Sequence, residues 1–241
     1  MKDFHNIDWT AEKISRLWAY YGSNRAYDNA YFSKHTGDRI LSYIQRYVDL
    51  TKKQILDFGC GPGFFLERLG SSKTGGVFFG LDFSNETVIQ ARQRLSGIIP
   101  SDNIRAVESL PSPYADKSFD VILCIEVIEH LNDEQIVANF NEFSRLLKTG
   151  GYLVLTTPNR ENLDANMVPC PECGCIFHRW QHVRKWDSRL LVELISKYGF
   201  ETTHVGETYF CSWFRSLWHW IKSRFNGQTP PPYLIYIGRK R

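Results

Sequence analysis

Residues 55–63, Ile-Leu-Asp-Phe-Gly-Cys-Gly-Pro-Gly, constrain this chain more than any other stretch. An apolar run ends on a carboxylate, Asp57, and glycines then take alternate positions at Gly59, Gly61 and Gly63. Such a run reads as a strand buried on both faces, as in a parallel sheet, leaving through a tight loop. Phe64-Phe65-Leu66-Glu67-Arg68-Leu69 then opens a helix. Glycine lets the loop backbone turn sharply and come close to a ligand. The carboxyl end of a strand in an open α/β sheet is where nucleotide-like molecules bind. The spacing narrows the ligand, because a dinucleotide site needs G-x-G-x-x-G. The third glycine would fall on Phe64 or on Leu66, and no phosphate-cradling Lys-Ser/Thr ending is present.

Three more stretches follow in order. Val77-Phe78-Phe79-Gly80-Leu81-Asp82 is a second apolar run ending in an acid, 19 residues past Gly63. Dinucleotide folds place a ribose-binding carboxylate at a similar distance. Residues 118–131 hold a strand and an acidic turn, and residues 147–158 hold a Gly-Gly turn and a strand. With the D-x-G-x-G-x-G loop, these stretches resemble class I S-adenosylmethionine-dependent methyltransferases from about residue 52 to 158. The resemblance implies that Asp57, Gly59, Cys60, Gly61 and Gly63 seat the amino-acid end of the donor. It implies that Asp82 holds the ribose and Phe83 lies beside the adenine, with Glu126 in the same set. Many relatives carry an acid after the third strand, facing the adenine amino group. Its usual position is Ala106 here, and Glu108 is the nearest substitute.

Strand patterns at 77–81, 103–107, 119–125, 151–157, 200–208 and 233–238 alternate with helices starting near Phe64, Ser84 and Asn132. That alternation predicts a doubly wound α/β fold. The resemblance makes it a seven-stranded, mostly parallel, Rossmann-like sheet closed by an antiparallel hairpin. Asn132 and Gln135 have capping-box spacing. Ahead of the sheet, Thr10 caps a helix bearing Ile14, Leu17, Trp18 and Tyr21, and a second carries Ile40, Leu41, Ile44 and Val48. Family helices of this kind lie over the donor pocket, which would turn Tyr31, Phe32 and His35 toward it; ordinary packing is the plainer reading.

A chain of 241 residues can bury one sizeable core. One domain over 1–241 is expected, with helices in 1–51, the core in 52–158, a Cys/His insertion at 165–186 and a C-terminal part from 187. No run of 18 apolar residues exists and the start has no apolar leader, so no membrane span is expected and the reading is cytoplasmic. The net charge of +3 comes from residues 208–241, which hold Arg215, Lys222, Arg224, Arg239, Lys240 and Arg241 and no carboxylate side chain. A nucleic-acid footprint would be more dispersed or more intense, so no nucleic-acid partner is expected.

Cysteines and histidines cluster in Pro169-Cys170-Pro171-Glu172-Cys173-Gly174-Cys175-Ile176-Phe177-His178-Arg179-Trp180-Gln181-His182. Cys170-x₂-Cys173 is a knuckle spacing, and His178-x₃-His182 sets two imidazoles a helical turn apart. Two thiolates and two imidazoles make a tetrahedral zinc set, with Cys175 competing for the place of His178. A second metal reading overlaps it at Glu126-x-x-Glu129-His130. Two carboxylates and one imidazole suit Mg²⁺ or Mn²⁺. The pattern resembles a metal site of ubiquinone-pathway O-methyltransferases and of RNA 3′-terminal ribose methyltransferases; in the latter, a further histidine arrives after the fifth strand, and His182 is the candidate.

Residues 210–225 have helical period, with Phe210, Trp213, Phe214, Leu217, Trp218, Ile221 and Phe225 on one face and Arg215, His219 and Lys222 on the other. Such a helix fits a membrane interface, or packing on its own sheet or on a twin subunit in a homodimer. The expected activity is methyl transfer from S-adenosylmethionine to a hydroxyl of a small or lipid-linked acceptor, saccharide or quinone-like. Glu126, Glu129 and His130 line the acceptor side, with His130 as base or metal ligand. Two alternatives stay open: an RNA ribose methyltransferase, and a non-catalytic methyltransferase-like partner-binding protein.

Overall fold

The structure, a computed structural model, describes residues 3–210 and 231–241. Apart from Phe210, the aromatic segment 210–225 lies outside the described residues.

Strands β2 (Gln54–Phe58), β3 (Val77–Asp82), β4 (Ile104–Ala106), β5 (Phe119–Ile125), β6 (Leu147–Pro158), β9 (Phe200–Thr208) and β10 (Tyr233–Lys240) form one sheet. Its order is β4-β3-β2-β5-β6-β10-β9. β4, β3, β2, β5 and β6 are parallel neighbours, whereas β10 runs antiparallel to β6 and β9. The apolar runs alternate as the pleat requires. Ile55, Val121 and Leu123 pack with helices α2 (Phe32–Ile44), α3 (Phe64–Gly70) and α4 (Asn85–Arg94). Leu56, Phe58, Ile122 and Cys124 pack with α5 (Asp133–Leu146) and α6 (Ser188–Ser196). Both faces are therefore covered, which is why these strands are apolar throughout. Each fully buried Leu or Phe here contributes about 1.5–3 kcal/mol.

Helix starts follow the capping residues. Thr10 accepts from Lys13 N at the start of α1 (Ala11–Ser23). Asn132 Oδ1 accepts from Gln135 N at 2.8 Å while Gln135 Oε1 accepts from Asn132 N at 2.9 Å, completing the predicted box. Three boundaries differ from the sequence pattern. α2 stops at Ile44, and Val48 is buried beyond its end. β6 begins at Leu147, earlier than expected, because Leu147 pairs with Phe119. The Cys/His stretch, read as an insertion without strands, forms β7 (Met167–Pro169) and β8 (Cys175–His178), and β1 (His5–Asn6) pairs with β8 in a second, three-stranded sheet.

Candidate active site

The strand order reverses between β2 and β5, and the site opens at their carboxyl ends. Leaving β2, the chain turns back on β3: Gly59 N and Cys60 N both donate to Leu81 O, at 2.7 and 3.0 Å. Gly59 has φ +79°, and a Cβ there would lie 2.5 Å from Val127 Cγ2, so the turn admits only glycine. Gly61, at φ +50°, presents its N–H to Asp82 Oδ2 at 2.8 Å. Asp82 Oδ1 accepts from Ser84 N at 2.8 Å and from Thr87 Oγ1 at 3.1 Å. Burial raises the Asp82 carboxyl, and those donors pull it the other way. Asp57 is 2% exposed and its Oδ2 has no hydrogen-bond partner. Burial first, and the Asp82 charge second, push it up to about 8. Tyr31 packs over Gly61 with its hydroxyl buried and unpartnered, and its phenol is raised by burial. The exposed Phe83 ring and Glu108 line the same cavity. Cys60 contributes backbone; its buried thiol is pushed up and inert.

The other end of the cavity is assembled from five separate segments. Glu126 leaves β5 at φ +54°, a left-handed conformation that costs a non-glycine residue about 1–3 kcal/mol. Its N–H is fixed on Thr156 O at 3.1 Å. Glu129 is 1% exposed, and its Oε2 accepts from Thr157 Oγ1 at 3.0 Å. The chain after β8 is pinned there by Val183 N donating to Glu129 O at 2.9 Å. Gln181, 1% exposed, donates from Nε2 to His130 O at 2.8 Å and accepts from Trp18 Nε1 at 3.0 Å. That bridge ties α1 to the site, with the Trp18 ring edge-on to His130 at 5.0 Å.

Three imidazoles and two carboxylates then meet. His130 Nε2 lies 3.8 Å from Glu129 Oε1, and His182 Nδ1 lies 2.5 Å from Glu161 Oε2. The His182 ring is 4.8 Å from that of His130 and 4.5 Å from that of His178. His178 Nδ1 accepts the backbone N–H groups of Trp180 and His182 at 3.3 and 3.1 Å. Its Nε2 is buried without a hydrogen-bond partner and faces Glu161 Oε1 at 3.5 Å. Burial pushes Glu126 up to about 8 and Glu129 well up, while burial and then His182 push His130 down to about 3. A cation in this cluster would reverse the shift of the acids, ionising them, and would hold the His130 imidazole neutral. Glu126 Oε1 and His130 Nδ1 are buried without partners, so the donor set fits an added ion.

Among the described residues, three groups have ligand atoms mutually within 4.8 Å: Glu129, His130 and His182; Glu161, His178 and His182; and Cys170, Cys173 and Cys175. Glu126 belongs to none of them. The residues read as one zinc set, Cys170, Cys173, His178 and His182, are thus divided between two places. The hairpin register is the reason: Met167 pairs with His178, so His178 stands at the base, whereas the cysteines sit at the tip. Three residue steps along the strand separate Cys175 from His178, about 10 Å. Glu161, Gln181 and Trp18 were not read as site residues. No local pattern marks them, because each acts through a partner distant in sequence.

One cavity of about 1180 Å³ joins the two ends, and Tyr31, Phe32 and His35 all line it. It exceeds the 300–1,000 Å³ of an ordinary single-ligand pocket, leaving room for two molecules side by side. A glycine-and-acid cradle at the switch point of a sheet closed by an antiparallel hairpin defines the class I, S-adenosylmethionine-dependent methyltransferase fold. The chain belongs to the methyltransferase domain family, whose sequence profile matches residues 31–205. It is 34% identical over 122 residues to a ubiquinone biosynthesis O-methyltransferase of Xanthomonas oryzae, covering 50% of this chain and 49% of the relative. It is 31% identical over 161 residues to one of Proteus mirabilis, covering 66% and 61%. The chain spans about half the length of the curated relatives it matches. In fold it resembles phosphoethanolamine N-methyltransferase 2 of Haemonchus contortus, solved with S-adenosyl-L-methionine. The TM-score is 0.62 at 16% identity, over 92% of this chain and 60% of that one.

Proposed function

We propose that this chain transfers the methyl group of S-adenosylmethionine to a hydroxyl of a small, quinone-like acceptor. The observation that carries the reading is the single cavity, with the glycine-and-acid cradle at one end and the carboxylate–imidazole cluster at the other. The similarity to ubiquinone-pathway enzymes supports a phenolic or catechol-like ring.

The donor supplies an electrophilic methyl group together with its own leaving group. The protein's share is binding, orientation and proton removal. Asp57, with its free Oδ2, suits the ammonium of the amino-acid end. Asp82 already accepts three hydrogen bonds, so one lone-pair position on Oδ2 is left for a ribose hydroxyl. Phe83 offers a ring face for the adenine, and Glu108 is placed on the same wall. Trp18, bridged through Gln181, helps close the acceptor end to water. Glu129, His130 and His182 would hold a divalent ion such as Mg²⁺ or Mn²⁺, which would acidify the acceptor hydroxyl. The proton then leaves toward this side of the cavity, to His130 when that ring is free and to Glu126 when it is a ligand. Zinc, which prefers thiolates, is assigned to the cysteines instead. The lipid-linked version of the acceptor rests on the sequence of 210–225 alone; among the described residues, no helix is long and apolar enough to cross a membrane.

The test is incubation with S-adenosylmethionine and a panel of catechols and hydroxylated quinols, read by mass spectrometry for added methyl, alongside titration calorimetry of the donor. Donor binding with methylated phenol supports the reading. Donor binding with no phenol modified removes the acceptor class, and absence of donor binding removes the function.

A further inference from the structure

The turn between β7 and β8 is built like a metal knuckle, and a third element reaches it. Cys170 N donates to Cys175 O at 2.7 Å and Gly174 N to Cys170 O at 2.9 Å, curling the chain so that three Sγ atoms converge within 4.8 Å. Sulfur atoms around a tetrahedral zinc stand about 3.8 Å apart, given Zn–S bonds of about 2.3 Å. The thiols therefore need only a small contraction. All three cysteines are free, and Cys173 is exposed. The fourth corner lies with β1. His5 is the Cα partner of Cys175 in the parallel β1–β8 pair, so the two side chains rise from one face about 5 Å apart. His5 N donates to Gly174 O at 3.3 Å, and Ile7 N to Ile176 O at 2.9 Å. The approach is close enough that a Cβ on Gly174, at φ +78°, would lie 3.1 Å from Asp3 O. The His5 imidazole is not among the three clustered ligands, but it is exposed and free to rotate toward them.

We propose that Cys170, Cys173, Cys175 and His5 form a structural zinc site that clips the N-terminal strand to the hairpin. The consequence lies at the active site, because β1 leads directly into α1, whose Ile14, Ser15 and Trp18 line the cavity. Fixing β1 to the hairpin anchors both ends of the bridge from Trp18 through Gln181 to His130. The inference goes beyond the methyl-transfer reading and stands apart from it, since its readout is the metal–sulfur bond.

The experiment is Co²⁺ substitution in the full chain, following the thiolate-to-cobalt charge-transfer band, to which the thiol-free cavity cluster cannot contribute. The wild type is expected to bind one such Co²⁺ per chain, displaced by equimolar Zn²⁺. Cys175→Ser should remove about a third of the band, since one of three thiolates is lost. His5→Ala should weaken Co²⁺ binding about tenfold or more while keeping the band at saturation, and His178→Ala and His182→Ala should change neither. Zinc loading should also slow tryptic cleavage at Lys13 and Arg16 in the wild type but not in His5→Ala. A band unaffected by Cys175→Ser, or weakened by the His178 or His182 variant, overturns the ligand set. A site indifferent to His5→Ala overturns the clip. Absence of the thiolate band in fully reduced wild-type protein overturns the site altogether.

Discussion

The two ends of the cavity are built on opposite plans. The end proposed for the donor is local: Asp57, Gly59, Gly61 and Asp82 come from two neighbouring parallel strands and the turns directly after them. The end proposed for the acceptor is a meeting of distant segments, with Trp18, Glu129, His130, Glu161, Gln181 and His182 drawn from four places in the chain. A local cradle is set by backbone geometry, and glycine and aspartate are the residues that geometry demands. A distant cluster is set by packing and hydrogen bonds, which local spacing announces only in part, as at Glu129-His130. On the proposed function, the difference teaches that this fold keeps its donor chemistry in a fixed motif and leaves acceptor choice to the elements laid over it.

The contrast can be broken by mutation, starting where the effect is greatest. His130→Ala should lower kcat on a phenolic acceptor by about 10²–10⁴-fold while donor affinity stays unchanged, as steady-state kinetics and calorimetry would show. A loss of donor affinity instead would mean that the ends are not separate. Asp82→Asn replaces an acceptor that meets two backbone N–H groups with one that turns an NH₂ toward one of them. Donor binding should weaken about 100-fold, and an unchanged dissociation constant would take Asp82 out of the cradle.

The pH dependence sharpens the same comparison. Asp57 has a folded value of about 8 against an ordinary 3.8. In the free protein its protonation is favoured, so its contribution to stability is full below 3.8 and is lost as pH rises through about 8. A cationic donor group favours the ionised form, so the proton must leave on binding. Donor affinity should rise by up to about tenfold per pH unit toward pH 8 and then level off. Asp57→Asn should flatten that slope; a wild-type dissociation constant independent of pH would refute the pairing. The smallest effect belongs to Gln181→Leu, which strands the Trp18 N–H and the His130 carbonyl. A loss of about 1–2 kcal/mol, or roughly 5- to 30-fold in kcat/KM, is expected with donor affinity intact. Equal losses at both ends would show that α1 serves the donor as well.

Much of this was legible in the chain. Apolar runs ending in Asp57 and Asp82, with glycines on alternate positions between them, already imply adjacent parallel strands and a turn open to a nucleoside, because period and turn chemistry are local properties. The Asn132 capping box and the Thr10 cap are local in the same sense. The grouping of metal-ligating residues was legible in part: Glu129 and His130 meet His182 as read, whereas the set joining the cysteines to the histidines is divided. His178 and the cysteines are near neighbours in sequence, yet a β-hairpin spaces residues by about 3.3 Å each and sends them to opposite ends. His5 and Cys175 are 170 positions apart and share one register. Whether Glu161, a carboxylate in a polar loop, serves solvent or His182 is fixed by the packing of that loop under the hairpin. The sequence by itself determined the sheet, its switch point and the glycine-and-acid cradle, since each follows from short-range pattern. The tertiary structure decided which imidazole meets which acid, because the energy of a buried charge depends on neighbours brought in by distant strands.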